Sequence, residues 1–325
     1  MKKTLLGFFT SLFNAQTTEN KYKEGNDKAK LEEHRTAIAD HTKAIELNPN
    51  DSEAYIERGK AKSWLDDYKG AIADYTKAIE LNPDDSEVYI KRGDAKSELD
   101  DHKGAIADYT RAIELNPNDS EAYRKRGISK RIKKDYKGSI PDFTKAIELN
   151  SNDSLAYRNR GLSKGFLKDL RGAIADSTNA IKLDSNDSYS YQLRGLFKEL
   201  LEDHKGAIAD FTRAIEINPN ESDSYILRGK SKIKINKKDS AYLDFSKAGE
   251  LGNSEAYNLI EDIHVANSNI SILDKVKKSS YLWQIVFISI GLYFFSQGDR
   301  KWGFIGVCVG IGYGYNQWLG NRKNK

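Results

Sequence analysis

The chain has 325 residues, with 52 lysines and arginines against 48 aspartates and glutamates and a net charge of +4. This near-balance argues against a protein that binds polyanions in general. The single cysteine, Cys308, excludes an intramolecular disulfide framework and a zinc site built from cysteines.

The first stretch, residues 1–19, is largely apolar and begins with two lysines, Lys2 and Lys3. Three interpretations stay open for it. It resembles the start of a secretory signal, but bulky Phe13 would stand at the minus-three position of a cut after Ala15. It also has the apolar face of an amphipathic helix that lies at a membrane interface. The third interpretation is a hydrophobic cap on the segment that follows.

A 34-residue unit recurs from about residue 18 to residue 252, and residue 52 opens the second copy. Position 20 of the unit is small, position 24 is mostly aromatic, and position 23 is aspartate in every copy. A fixed period of this length predicts a repeat architecture. Glycine at position 8 and alanine at position 27 recur in all seven copies: Gly25, Gly59, Gly93, Gly127, Gly161, Gly195 and Gly229, with Ala44, Ala78, Ala112, Ala146, Ala180, Ala214 and Ala248.

Each unit predicts two helices joined by a turn. In the copy at residues 86–119, apolar residues at helical spacing predict helices over 86–99 and 102–115, with Asp100 and Asp101 in the turn. Asn-Asp-Ser runs between units supply N-cap side chains for the first helices. Neither helix can bury its apolar stripe alone, so neighbouring units must stack.

The period and these positions resemble the tetratricopeptide repeat family. The resemblance implies an all-α, right-handed α-solenoid at residues 20–266, with about seven helix-turn-helix repeats and a closing helix at 254–266. The chain departs from the family pattern at positions 7 and 11, where arginine and lysine replace an apolar and an aromatic residue.

These arginines and lysines lie on one face of the first helix, because they are four residues apart. We expect one arginine–aspartate ion pair within each repeat, such as Arg92 with Asp108 or Arg194 with Asp210, with the lysine head in water. The alternative is an RNA-binding helical repeat that uses the basic row as a track for phosphates. The aspartates at position 23 argue against that alternative, so nucleic acid is not the expected partner.

Four of the five histidines follow the repeat: His41 takes the aromatic position 24, and His264 stands alone. His34, His102 and His204 share position 17, which tyrosine takes in other copies, so we expect packing residues rather than metal ligands. No Ser/His/Asp set and no glycine-rich phosphate motif interrupts the pattern. The sequence therefore predicts no enzyme activity, no metal and no cofactor.

The resemblance implies that positions 2, 5, 9, 12 and 13 of the first helices line a concave groove. In the fourth to sixth repeats these positions become apolar with basic neighbours, which favours a protein or peptide partner. We expect the apolar residues to anchor the partner and the arginines to set its charge. The alternative is burial against the next helix. The candidate groove residues are Arg124, Ile128, Arg131, Ile132, Arg158, Leu162, Phe166, Gln192, Leu196 and Leu200.

The C-terminal part of the chain changes character. A basic linker at residues 267–279 leads to two uncharged segments, 280–296 and 302–320. Their length and the aromatic residues near their ends predict a two-helix transmembrane hairpin at 280–320, with a basic tail at 321–325. The alternative is a buried helical hairpin packed on the end of the solenoid.

Gly306, Gly310 and Gly314 lie on one face of the second segment and predict close helix packing or homo-oligomerisation through the hairpin. Positive charge is greater at the two ends of the hairpin than in its loop, which predicts a cytoplasmic solenoid. A functional N-terminal signal would instead export the solenoid. The combined expectation is a scaffold or adaptor anchored in the lipid bilayer, which mediates protein–protein interaction in the assembly of a membrane complex.

Overall fold

The computed structural model describes residues 30–263, and this range contains fourteen α-helices and no β-strand. The N-terminal segment 1–19, the hairpin at 280–320 with Gly306, Gly310 and Gly314, and the basic tail lie outside the described residues. No helix between residues 30 and 263 is both long enough and apolar enough to cross a membrane.

The chain divides into two compact units after Ile217. In the first unit, α1 covers residues 30–47 and is followed by five helical hairpins. Their helices are α2 (Ser52–Trp64), α3 (Tyr68–Leu81), α4 (Ser86–Glu98), α5 (His102–Leu115), α6 (Ser120–Ile132), α7 (Tyr136–Leu149), α8 (Ser154–Phe166), α9 (Leu170–Leu183), α10 (Ser188–Leu200) and α11 (His204–Ile217). The second unit contains α12 (Ser222–Lys234), α13 (Lys238–Glu250) and α14 (255–263).

The hairpins of the first unit stack in chain order. From α2 to α11, each helix packs against the next one along the chain, and the first helices α6, α8 and α10 also contact one another in sequence. This arrangement buries the apolar stripe of every helix against its neighbours. The predicted α-solenoid is therefore confirmed for the described residues of the first unit.

Two aspartates in each of the five hairpins from α2 to α11 set where the helices begin. In the third repeat, Asp85 caps α4 by accepting the backbone N–H groups of Glu87 and Val88. Asp101 caps α5 by accepting the N–H of Gly104 at 2.9 Å. A capping side chain satisfies an N–H group that has no partner within the helix. The residue before Asp101, Asp100, has a φ of 59°, which turns the chain back between the two helices.

The glycine at position 8 gives room to the aromatic ring at position 24. In the sixth repeat, Phe211 is fully buried, and a Cβ built on Gly195 would lie 2.7 Å from its Cε1 atom. The alanines at positions 20 and 27 beside the ring, Ala207 and Ala214, are also fully buried. Only a residue without a side chain allows α10 and α11 to approach this closely.

The fifth repeat has serine, Ser177, where the aromatic ring is expected. The three atoms nearest to a Cβ built on its glycine, Gly161, do not belong to a ring. A buried ring enters instead from the sixth repeat, where Phe197 replaces a small residue and packs with Ala173 of α9. Gly165 of α8 makes room for it, because a Cβ there would overlap the Phe197 ring. The two repeats therefore share one core.

The second unit repeats the hairpin and then closes it. Gly229 of α12 lies against the ring of Phe245 in α13, as in the other repeats. Ala256 and Ile263 of α14 are buried, which confirms the predicted closing helix over residues 255–263. Neither α12 nor α13 has an N-cap side chain that accepts a hydrogen bond, because Glu221 and Lys237 stand at those positions.

Gly195→Ala should lower the free energy of unfolding by about 1–3 kcal/mol more than Gly161→Ala does, because its methyl group would overlap a buried ring that cannot move. At Gly161 the nearest atoms to a new Cβ are 3.2 Å away. Chemical denaturation of the two variants measures the difference. Equal losses would show that the ring is not what requires glycine at position 8.

Pro141→Ala should raise the free energy of unfolding by about 1–3 kcal/mol, because Pro141 lies inside α7 and removes a backbone hydrogen bond there. Its exposed side chain leaves no cavity when it is shortened. The reverse change at the same position of the third repeat, Ala107→Pro, is the matched control and should lower stability. Unchanged denaturation midpoints in both variants would contradict this account.

Candidate functional site

The arginine at position 7 joins the two helices of its repeat to the repeat before it. In the third repeat, Arg92 donates to both oxygens of Asp108, from Nε at 3.0 Å and from Nη2 at 2.7 Å. Its Nη1 donates to the hydroxyl of Thr76 in α3 at 3.2 Å. The guanidinium carbon lies 5.6 Å from the ring centroid of Tyr89. Lys96 Nζ is 2.7 Å from Asp108 Oδ2. Every nitrogen of the guanidinium thus has a partner.

The same cluster recurs along the chain and confirms the predicted arginine–aspartate pairs. The other pairs are Arg58–Asp74, Arg126–Asp142, Arg160–Asp176, Arg194–Asp210 and, in the second unit, Arg228–Asp244. The prediction that the lysine heads lie in water is wrong. The lysine one turn after each arginine reaches the same carboxylate at 2.7–2.8 Å, as Lys62, Lys130, Lys164, Lys198 and Lys232 show.

This geometry does not support the basic row as an RNA track. Asp108 is only 4% exposed, so the cations that neutralise it are bound inside the repeat. A buried carboxylate needs such partners to remain charged. The basic row therefore stabilises the repeat and has little free charge to offer a phosphate backbone.

The three histidines at position 17 each contact a neighbouring side chain, as predicted for packing residues. His34 stacks on Trp64 with 4.8 Å between the ring centroids. His102 Nδ1 lies 3.3 Å from Ser97 Oγ, and His204 Nδ1 lies 3.0 Å from Glu199. Among residues 30–263, no cluster of histidine, cysteine, aspartate and glutamate is arranged to hold a metal ion.

The predicted groove residues all lie on the first helices α6, α8 and α10 of the first unit. Four apolar members are exposed: Ile132, Phe166, Leu196 and Leu200. The others, Arg124, Ile128, Arg131, Arg158, Leu162 and Gln192, are half-buried. Phe166 and Leu200 keep 58% and 59% of their surface exposed, so burial against the next helix does not account for them. Phe166 also stacks on Tyr136, with 4.4 Å between ring centroids, which holds its ring in place.

Two of the three arginines that were expected to set partner charge are bound within the chain. Arg124 Nε lies 2.9 Å from Asp153, and Arg158 Nη1 donates to Asp187 at 2.8 Å. These aspartates are the N-caps of α8 and α10, so each arginine reaches the start of the next first helix. The guanidinium of Arg158 also lies over the ring of Tyr189, at 5.4 Å. The expectation is therefore wrong for Arg124 and Arg158, whose charges are already neutralised.

Arg131 differs from the other two. Its buried Nε donates to no acceptor among residues 30–263, which is also true of Arg124 Nε. Arg124 nevertheless has Asp153 beside it, whereas no carboxylate in that range lies within ion-pair distance of Arg131. Burial lowers the pKa of the Arg131 guanidinium from its ordinary value, an effect that nearby Tyr189 and Tyr136 oppose and that Arg158 increases. The groove therefore contains one half-buried positive charge without compensation.

The first helices also line a cavity that was not predicted from the sequence. A cavity of about 420 Å³ lies between the second and third repeats. Trp64, which is 64% exposed, was the sequence feature that could have indicated it. The lining residues are Lys60, Ser63, Trp64, Tyr68, Tyr75, Lys91, Asp94, Ala95 and Glu98.

Helical hairpins of 34 residues, stacked in chain order, define the first unit as an α-solenoid of a repeat protein. Residues 52–85 match one tetratricopeptide repeat model, and residues 86–119 and 188–221 match a second. The segments 52–119 and 188–221 are thus tetratricopeptide repeats. A search of curated proteins gives no significant match.

Solved structures with the same fold are similar to much of the chain. PilF of Pseudomonas aeruginosa is 16% identical, with 65% of this chain and 96% of that chain covered and a TM-score of 0.57. A tetratricopeptide repeat protein of Parabacteroides merdae is 21% identical, with coverages of 71% and 90% and a TM-score of 0.53. YrrB, a TPR protein with an unusual peptide-binding site, is 23% identical, with coverages of 59% and 97% and a TM-score of 0.51. At these identities the likeness shows the fold alone.

Asp108→Ala should lower the free energy of unfolding by on the order of 3 kcal/mol, because it leaves Arg92 and Lys96 half-buried without their counter-charge. Glu80→Ala is the control, since Glu80 forms an exposed ion pair with Lys77 at 2.9 Å. An exposed pair of this kind contributes about 0–1 kcal/mol. Urea denaturation of both variants provides the comparison, and similar small losses would mean that the buried cluster does not stabilise the repeat.

Proposed function

We propose that the chain is a membrane-anchored scaffold that holds a protein partner against the first helices of the fourth to sixth repeats. The observation that carries this proposal is the set of exposed apolar side chains on adjacent first helices, above all Phe166, Leu196 and Leu200. Contiguous exposed apolar surface usually marks an interaction site in a soluble domain.

The arrangement suits an extended segment or a helix of the partner. The helices α8 and α10 contact each other, so their exposed side chains form neighbouring rows. Stacking on Tyr136 holds the Phe166 ring before a partner arrives, and such preorganisation reduces the entropy lost on binding. YrrB, whose fold is similar, has a peptide-binding site, which agrees with this use of the fold.

The proposed anchor is the hairpin at residues 280–320, supported by its uncharged segments and the basic residues on both sides. The flanking charge favours a cytoplasmic solenoid, and the seam of Gly306, Gly310 and Gly314 offers a route to homo-oligomers. An anchored solenoid meets partners in the same membrane at a raised effective concentration. We infer that the chain acts by binding in the assembly of a membrane complex, and that it is not an enzyme.

Affinity capture from detergent-solubilised native membranes tests the proposal with the whole protein as bait. Charge at two anchor positions, in a Phe166→Glu and Leu200→Glu double variant, should release the partner because a carboxylate does not pack in an apolar contact. The matched control is Leu47→Glu with Leu183→Glu, which places the same charges on exposed leucines of second helices.

The partner should be retained by the native chain and the control and lost from the double variant. If all three baits capture the same proteins, the first helices of the fourth to sixth repeats are not the binding surface.

A further inference from the structure

We propose that Arg131 is the subsite for a carboxylate side chain, aspartate or glutamate, of the peptide segment that lies in the groove. This inference rests on the proposed function and specifies the chemistry of the partner. It starts from a buried N–H group that has no acceptor within residues 30–263, and such groups are rare enough in native proteins to need an explanation.

The repeat does not require arginine at this place. Arg131 stands at position 12 of the fourth repeat, and the corresponding residues of other repeats are Ser63, Ser97, Gly165, Glu199 and Ile233. The recurring arginine of the same helix, Arg126, is paired with Asp142 as in every complete repeat. Arg131 therefore lies outside the network that stabilises the hairpin.

The surroundings of Arg131 join it to the apolar anchors. Tyr136 and Tyr189 lie close enough to act on its charge, and Tyr136 is the residue on which Phe166 stacks. An acidic residue of the partner bound at Arg131 would thus lie beside the residue that contacts Phe166. The geometry points to a partner segment in which an acidic residue is close to an apolar or aromatic one.

The charge count favours a carboxylate over a phosphate group. Arg124 and Arg158 are neutralised by Asp153 and Asp187, which leaves Arg131 as one uncompensated positive charge. A carboxylate carries one negative charge and matches the guanidinium in two parallel hydrogen bonds. A phosphate group carries nearly two negative charges at neutral pH and would lack the second cation.

The position of Arg131 along the solenoid favours a side-chain carboxylate of the partner over the carboxylate at the end of its chain. Arg131 lies in the fourth of the repeats, with Leu196 and Leu200 exposed on one side of it along the chain and the cavity beside Trp64 on the other. A segment that extends in both directions presents side chains at Arg131 rather than its end.

The test uses a synthetic library of random twelve-residue peptides, acetylated and amidated so that side chains alone carry charge. The full chain in detergent selects binders, and the tightest one is remade with each acidic residue changed to its amide. Selected peptides should be rich in aspartate and glutamate next to apolar residues. One amide change should raise Kd about tenfold or more, because it removes a charge-assisted bond.

Arg131→Gln should bind the acidic peptide and its amide equally, which is the sign that these two groups are direct partners. Arg171→Gln is the matched control, because Arg171 is an exposed arginine of α9, and it should keep the preference for the acidic peptide. The thermal midpoint of Arg131→Gln should equal or exceed that of the native chain, since the change removes an uncompensated half-buried charge.

The remaining outcomes each overturn something definite. Peptides that need Phe166 and Leu200 but show no acidic preference would overturn the role of Arg131 and leave the proposed function standing. A large fall in the midpoint of Arg131→Gln would assign Arg131 to the fold, and tighter binding of a phosphoserine peptide would overturn the carboxylate. Failure of the native chain to select any peptide would overturn both proposals.

Discussion

A buried carboxylate with two cations holds together each repeat from the second to the seventh. Asp108 lies in the second helix, whereas Arg92 and Lys96 lie one turn apart on the first, so the cluster fixes the two helices against each other. The same guanidinium donates to Thr76 of the preceding repeat and thereby links successive hairpins. Because a charge removed from water must keep its partners, neither helix can slide without a large loss of stability. The placement of the first helices, and hence of the groove, depends on this cluster.

The groove residues that indicate a binding function stand at positions where the fold of the repeat does not require a particular residue. Positions 7, 8 and 23 are occupied by the cluster and by the glycine that the ring requires, so their residues report on folding. In contrast, position 12 is Arg131 in the fourth repeat but Ser63 in the second. Position 13 is Phe166 in the fifth repeat but Trp64 in the second. Side chains that differ between repeats of one chain, and that remain exposed or uncompensated, are the ones available for a partner.

Much of the fold could be predicted from the sequence because the same 34-residue pattern occurs seven times. The helical hairpins, their N-caps and the arginine–aspartate pairs follow from spacing within one repeat. The contacts that were missed join one repeat to the next, such as Arg124 with Asp153. The repeat period shows which residues occupy equivalent positions, but it does not show how far apart neighbouring repeats lie in space. The lysine was misplaced because spacing gives the face of a helix and not the reach of a side chain. Within residues 30–263, six residues in the turns have a positive φ without being glycine, among them Lys134 and Glu202, so no glycine marked these turns in the sequence.

The exchange of one ring between two repeats has a consequence for how such a chain can change its length. A hairpin that contains its own glycine and ring can be duplicated or deleted in steps of 34 residues without leaving a hollow core. The fifth repeat lacks this independence, because its interior is completed by Phe197. A recombination event that separated it from the sixth repeat would leave a void in the core of the fifth repeat. It would also leave Phe197 of the sixth repeat without the site that buries its ring. These two repeats are thus a single unit of inheritance, and they are the same pair that presents Phe166 and Leu200.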